Sequence, residues 1–284
     1  MGTVCLLITS VFSVVLQNCL YNNSCKKTLK TVEQINLFYV FVYSACVLIF
    51  GALLFTETIS LYTAILGFAF GVITTLSNTY KLLSLSSGPM NITLLITTSS
   101  MIIPTLSGIF FGERFSPIKL IVVFLLIGFI YLSTSKKSDL KATKKWLIYC
   151  ALAFVFQGLI GVTQKIHQSS AHKTEAAGFL FVSFLFALVL SILRNKGLKK
   201  EIKIGKKTAL IAMVCGVCTF SMNYINLKLS GMLPSQLVFP LINGSVIILS
   251  SLASIVIFKE KLSKRQAVGL VGGIASLIAI CLVP

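Results

Sequence analysis

Apolar residues run along this chain in blocks of about 18 to 24, and the polar residues collect between the blocks. A strand alternates or keeps a short apolar run, whereas a helix crossing a hydrocarbon core of about 30 Å needs about 20 mostly apolar residues. Ten blocks meet that length: Thr3–Tyr21, Asn36–Phe55, Leu61–Leu83, Met90–Phe111, Pro117–Thr134, Trp146–Lys165, Ala176–Leu193, Thr208–Lys228, Ser235–Phe258 and Arg265–Val283. The pattern predicts an all-α integral membrane protein with ten transmembrane helices. Lys81, Lys119, Lys165, Lys228 and Arg265 fall inside these blocks, each close enough to an end for its ammonium or guanidinium to reach the interface. The first block lacks the basic leader of a cleaved signal peptide and is expected to remain as a span.

Composition narrows the class. The 284 residues are 56% hydrophobic and 11% charged, where a soluble domain is nearer a quarter charged. So few charges do not cover a water-facing surface. The net charge of +18 is better read as a topology signal than as a nucleic-acid footprint. With ten spans, both termini share a face with connections 2–3, 4–5, 6–7 and 8–9. Of 25 basic residues, that face carries Arg114, Lys119, Lys165, Lys173 and Lys228, and the opposite face carries the other twenty. Short basic connections stay in the cytoplasm, so the expected location is the plasma membrane with the lysine-rich connections inside and both termini outside.

The chain also resembles itself. Asn78-Thr79-Tyr80-Lys81-Leu82 is similar to Asn226-Leu227-Lys228-Leu229-Ser230, and Phe111-Gly112-Glu113-Arg114-Phe115-Ser116 to Phe258-Lys259-Glu260-Lys261-Leu262-Ser263. Lys81 and Glu113 are 32 residues apart, as are Lys228 and Glu260. The expected organisation is two five-helix repeats, 1–140 and 141–284. An odd number of spans per repeat inverts the second copy, the plan of many secondary transporters, in which one half rocks against the other around a site near the midplane.

On these residues, and on Leu233-Pro234-Ser235 and Phe239-Pro240-Leu241-Ile242-Asn243-Gly244, the chain resembles the EamA-type carriers of the drug/metabolite transporter superfamily. The last two spans also resemble those of small multidrug resistance proteins. The resemblance implies a carrier of small metabolites. Two departures stand out: the glutamate that small multidrug resistance carriers keep in their first helix has no counterpart in span 1 or 6, and EamA-type carriers usually hold their termini in the cytoplasm.

The spans hold no carboxylate, which argues against a relay through a buried acid and against a site for organic cations. They hold amides and hydroxyls instead. The expected substrate cavity is lined by Gln17 and Asn18 of span 1, Asn78 of span 3, Asn91, Thr97 and Thr98 of span 4, Gln157 and Gln164 of span 6, Asn223 and Asn226 of span 8, and Gln236 and Asn243 of span 9. Amides both donate and accept, which suits a neutral or zwitterionic solute. The bland alternative is that these groups join helices or bond their own backbone.

Pro104 in span 4 and Pro240 in span 9 each remove a backbone donor, and are expected to kink corresponding helices at a gate. Lys81 and Lys228, paired by the repeat, are candidate anion contacts or interfacial anchors. The related sugar-phosphate carriers place lysines near such positions on phosphate. Glu113 and Glu260 precede spans 5 and 10, where a helix N-terminus favours negative charge. Glycines four apart, as in Gly67–Gly71, Gly108–Gly112 and Gly269–Gly273, match close helix packing.

Cys215-Gly216-Val217-Cys218 lacks a second pair and reads as packing, and His167 and His172 fall in connection 6–7, so no metal or other cofactor is expected. Asn22-Asn23-Ser24 matches a glycosylation sequon that this topology places in the cytoplasm. The expected function is secondary active transport of a small metabolite, an amino acid or a related neutral or zwitterionic solute, by alternating access. The alternative is a flippase or carrier for an anionic, phosphate-bearing or lipid-linked substrate. An enzyme is not expected. The partners are a small-molecule substrate and the lipid bilayer, with no nucleic acid, and the sequence does not choose between monomer and homodimer.

Overall fold

The computed structural model describes residues 2–20, 29, 31–54, 57–87, 90–134, 143–196, 204–258 and 263–283. Asn22–Ser24, Glu260 and the side chain of Asn91 lie outside them. The described residues form α1 Gly2–Leu20, α2 Val32–Leu53, α3 Leu61–Ser87, α4 Met90–Ser99, α5 Ile102–Ser107, a 3-10 turn Gly108–Phe111, α6 Pro117–Thr134, α7 Lys144–Gln168, α8 Ala176–Lys196, α9 Lys206–Met232, α10 Ser235–Phe258 and α11 Lys264–Leu282. They contain no strand. Nine of the ten expected spans correspond to one helix each.

The tenth, span 4, is broken. Pro104 has no N–H to offer the Ser100 carbonyl, and its ring crowds that carbonyl. The chain therefore leaves α-geometry at Ser100-Met101 and tightens, with Ile103 N donating to Ser100 O at 3.0 Å and Met101 N to Thr98 O at 3.2 Å. Pro240 does not do the same. It sits inside α10, which runs on without interruption. The two prolines therefore do not interrupt corresponding helices.

Helix ends follow local chemistry. Thr31 with Gln34 and Ser263 with Gln266 form reciprocal capping boxes for α2 and α11. Gly112 closes the 3-10 turn at φ +70°, a left-handed conformation that a Cβ would strain.

Large apolar side chains cover the outside as well as the inside. On α6, Ile118, Ile121, Phe124 and Leu125 are exposed while Val123, Leu126 and Ile130 are buried. On α11, Val268, Val271, Ile274 and Ile278 are exposed while Leu270 and Ile280 are buried. A water-soluble helix would carry charge on that outer face, whereas lipid tails accept hydrocarbon there. This is a multi-pass membrane protein.

The chain divides into two compact units, each drawing on both halves of the sequence: Met1–Thr75 with Ile166–Leu229, and Leu76–Lys165 with Ser230–Pro284. In the first, Phe50 stacks on Phe184 at 5.8 Å and meets Phe220 at 4.7 Å. In the second, Met101, Val123, Leu126, Ile130 and Ile280 form a core against Leu237, Ile247 and Leu277.

Glycines let helices within each unit approach closely. A Cβ at Gly67 or Gly71 would lie within 3.0 Å of the backbone oxygens of Phe179 or Ser183 on α8. Gly272 accommodates the Phe129 ring and Gly273 the Ile248 side chain, so the span 10 glycines pack within the chain. Replacing Gly71 with valine is therefore expected to destabilise the protein by about 1–3 kcal/mol. Valine at Gly128, where a Cβ would meet no heavy atom within 4 Å, should have little effect. Thermal melting of the two variants in detergent checks this.

Candidate solute site

In the first unit the amides and hydroxyls of α1 meet α9 along an antiparallel seam. Ser10 Oγ donates to Asn226 Oδ1, Ser13 Oγ to Ser221 Oγ at 3.2 Å, and Gln17 Nε2 to Thr219 Oγ1 at 3.1 Å. The seam positions rise along one helix as they fall along the other. Asn223 turns back to its own helix, its Nδ2 on Thr219 O at 2.9 Å, and Asn18 is exposed. Lys228 is engaged too, its Nζ 5.4 Å from the Tyr224 ring centre. Tyr224 lies parallel to Phe220.

In the second unit a polar contact joins α3 to α7. Ser77 Oγ donates to Gln157 Oε1 at 2.9 Å, and Ser84 meets Cys150. Positions 77, 81 and 84 share one helix stripe, so Lys81 stands on α3 between two contacts with α7. The antiparallel register sets the small, buried Ala153 opposite it.

Tyr80 stacks on Phe156 at 5.8 Å and approaches Tyr149 at 6.2 Å. Below Ser84, Trp146 Nε1 donates to Thr93 Oγ1 at 2.8 Å. Lys81 keeps partial exposure, and no acid among the described residues pairs with it. At about 1.5 Å per residue it lies about 30 Å along α3 from Leu61, toward the lysine-rich connections. The neighbourhood offers one ammonium, amide and hydroxyl groups, and stacked rings.

Other expected cavity residues are used differently. Gln236 is buried and spans the start of α6, its Oε1 accepting from Ser116 N at 2.9 Å and its Nε2 donating to Ser116 O at 3.3 Å. Thr97 Oγ1 donates to Thr93 O, and Asn243 Nδ2 to Phe239 O, each on its own helix. Gln164 is buried, while Asn78 and Thr98 are half-buried. Pro104 packs with Phe239 against the bare backbone of Gly161.

The lysine-poor ends hold an electrostatic arrangement the sequence did not disclose. Lys165 does not reach out to the interface. It is 7% exposed and pairs with Glu113 Oε1 at 2.5 Å. Its Nζ also donates to Ser230 O at 2.8 Å, at the end of α9. Glu113 caps α10 rather than the adjoining α6: Ser235 N donates to its Oε2 at 2.6 Å. A cation thus sits at one helix C-terminus and an anion at the next N-terminus, matching both dipoles.

Two further acids cap across the first unit. Glu57, before α3, accepts from Ala177 N and Gly178 N at the start of α8. Glu175, before α8, accepts from Ser60 N at 2.8 Å and Ser60 Oγ at 2.7 Å at the start of α3. Burial works to raise the Glu175 carboxyl, but hydrogen bonds from Thr63, Ser60 and His172 outweigh it and hold it down at about 2. A folded value below the ordinary 4.5 stabilises the protein above pH 4.5, and that contribution is lost as pH falls toward 2. The melting temperature should therefore fall between pH 4.5 and 2, and Glu175→Gln should lose that part of the fall.

These features describe a polytopic helical membrane protein whose polar side chains form seams between apolar helices within each unit. Residues 144–282, the second half of the chain, match the EamA-like transporter family, which lies within the drug/metabolite transporter superfamily. A solved crystal structure superposes with a TM-score of 0.75 over 99% of this chain and 98% of the other, at 13% sequence identity, which shows a common fold. Comparison with curated proteins finds no match. The family match indicates a transporter of small solutes.

Proposed function

We propose that the protein carries a small zwitterionic solute, an amino acid or a close relative, across the plasma membrane by alternating access. The observation that carries this reading is Lys81: an ammonium with no acid partner among the described residues, on a helix stripe with Ser77 and Ser84 and next to the stacked Tyr80 and Phe156 rings. A substrate carboxylate would pair with Lys81, amides and hydroxyls would serve its other polar atoms, and the rings would cover its side chain.

The two-repeat organisation, 1–140 and 141–284, belongs to the same proposal. It is supported by register. Spans 1 and 8 meet at Ser10–Asn226, and their repeat equivalents, spans 6 and 3, meet at Gln157–Ser77, within two residues of the position the repeat offset dictates. The break at Pro104 supplies a bending point in span 4. The lysine-rich connections are cytoplasmic in this reading.

Lys81 also suits an anion, so one experiment carries both arms. Thermal unfolding of the purified protein in detergent is followed with neutral and zwitterionic amino acids, phosphorylated sugars, and lipid-linked phosphates. A ligand at 100 times its dissociation constant adds about 2.7 kcal/mol. Stabilisation by amino acids supports the proposal. Stabilisation by phosphates alone would replace it with an anion carrier or a flippase.

A further inference from the structure

We propose that His167 is the proton-carrying group of this carrier, so that solute movement is coupled to a proton through its imidazole. The proposal rests on the carrier reading above and adds the coupling ion to it.

The sequence puts His167 in a connection. The structure puts it in the last turn of α7, fully buried, with its ring 4.5 Å from that of Phe179 and close to parallel. Its two nitrogens have opposite surroundings. Nδ1 faces the Gln168 amide at 3.2 Å. Gln168 Nε2 also donates to Lys173 O at 3.3 Å, which identifies that end of the amide as the NH2 group and hence a donor to Nδ1. The neutral ring therefore carries its hydrogen on Nε2. That atom is buried and has no hydrogen-bond partner among the described residues. A buried donor without an acceptor is unfavourable, and an ionisable group at such a place in a membrane protein marks a pathway more often than packing.

The ring thus has one nitrogen toward the partly exposed connection and the other toward the packed interior. A proton arriving from the connection side would bind the Nδ1 lone pair and turn the imidazole into an imidazolium. Release of that same proton from Nδ1 to water, once the connection has rearranged, restores the neutral ring with its hydrogen on Nε2, so only the Nδ1–H bond is made and then broken. Protonation at Nδ1 also sets donor against donor, so it ejects the Gln168 amide. The connection is wired to respond: Ser170 N and Ser170 Oγ both bond to His167 O, His172 N bonds to Ser170 Oγ, and His172 Nδ1 meets Glu175 Oε1 at 2.9 Å. The charged groups acting on the ring are Glu175 and His172 from this connection and Lys228 from α9. Lys228 and a protonated His172 repel a second positive charge, and Glu175 attracts it.

The test uses the full-length protein in liposomes and a labelled mixture of alanine, threonine and leucine. With equal pH on both sides, exchange of label reports the carrier itself. With a pH gradient, coupling should accelerate wild-type uptake at least tenfold. His167→Gln should keep exchange and lose the acceleration, while His172→Gln keeps both. Exchange without acceleration in the wild type, or acceleration that survives in His167→Gln, overturns the proposal and leaves the carrier reading standing. If the wild type exchanges none of the three, the amino-acid reading fails, and hydrogen exchange decides the proton site separately. Corrected amide exchange over residues 169–175 should rise at least tenfold between pH 7.5 and 4 in the wild type and stay flat in His167→Gln. Gln168→Leu, which frees Nδ1, should move that rise to higher pH. No rise, or a Gln168→Leu profile identical to wild type, overturns the proposal.

Discussion

Lys165→Ala is expected to destabilise the protein by about 3–5 kcal/mol, among the largest effects of any single substitution here. The reason is what it leaves behind. Glu113 would remain as a carboxylate, largely buried against the start of α10 with its ion-pair partner gone. The end of α9 would lose the ammonium that now serves Ser230 O. Glu113→Ala should cost a similar amount by stranding Lys165, which is 7% exposed. Glu113→Gln combined with Lys165→Met removes both charges together and should be markedly milder than either single alanine variant. Thermal and denaturant unfolding of the four proteins in detergent checks this. A double variant as damaged as the sum of the singles would mean that the pair contributes little as a pair.

Lys81→Met should weaken solute binding about 30-fold or more, equivalent to about 2 kcal/mol, with little change in melting temperature. The side chain keeps its length and apolar stem, so packing between the Ser77 and Ser84 contacts is conserved while the charge is lost. Lys81→Arg should restore part of the affinity, since the charge returns on a larger head. Lys228→Met is expected to have a smaller effect on affinity, because that ammonium already lies over the Tyr224 ring. Dissociation constants from ligand-induced stabilisation check the series. Equal losses at the two lysines would contradict the distinction drawn between them.

The spans were legible because bilayer thickness and helix rise fix a block length, and nearly every apolar block is that long. The break in span 4 was legible for the same kind of reason, since Pro104 acts locally. Pro240 shows the limit of that argument: the same residue in the other half is carried within a continuous helix.

The electrostatics of the lysine-poor ends were not legible. Glu113 and Lys165 are far apart in sequence, and an acid one turn before α6 gives no local sign that it will cap α10 instead. Glu57 and Glu175 cap each other's neighbouring helix for a similarly non-local reason. A signal was nevertheless present. Glu57, Glu113 and Glu175 all fall on the face poorest in charge, each near a helix start. The amides were legible as a group and not as individuals. Ser10, Gln17, Gln157 and Asn226 join helices, Gln236 braces α6, and Asn223 and Asn243 bond their own helices. Side-chain type gives no means of sorting these roles. The sequence places His167 in a connection because span 6 is expected to end at Lys165, whereas α7 runs three residues further, to Gln168, and the ring is buried.

The most direct test of the carrier reading is counterflow in liposomes that contain the purified protein and are preloaded with unlabelled amino acids. Labelled alanine, threonine or leucine outside should accumulate transiently in wild-type vesicles, and accumulation should fall at least tenfold in Lys81→Met. Accumulation of a phosphorylated solute with none of the amino acids, or amino-acid counterflow unchanged in Lys81→Met, would contradict the account.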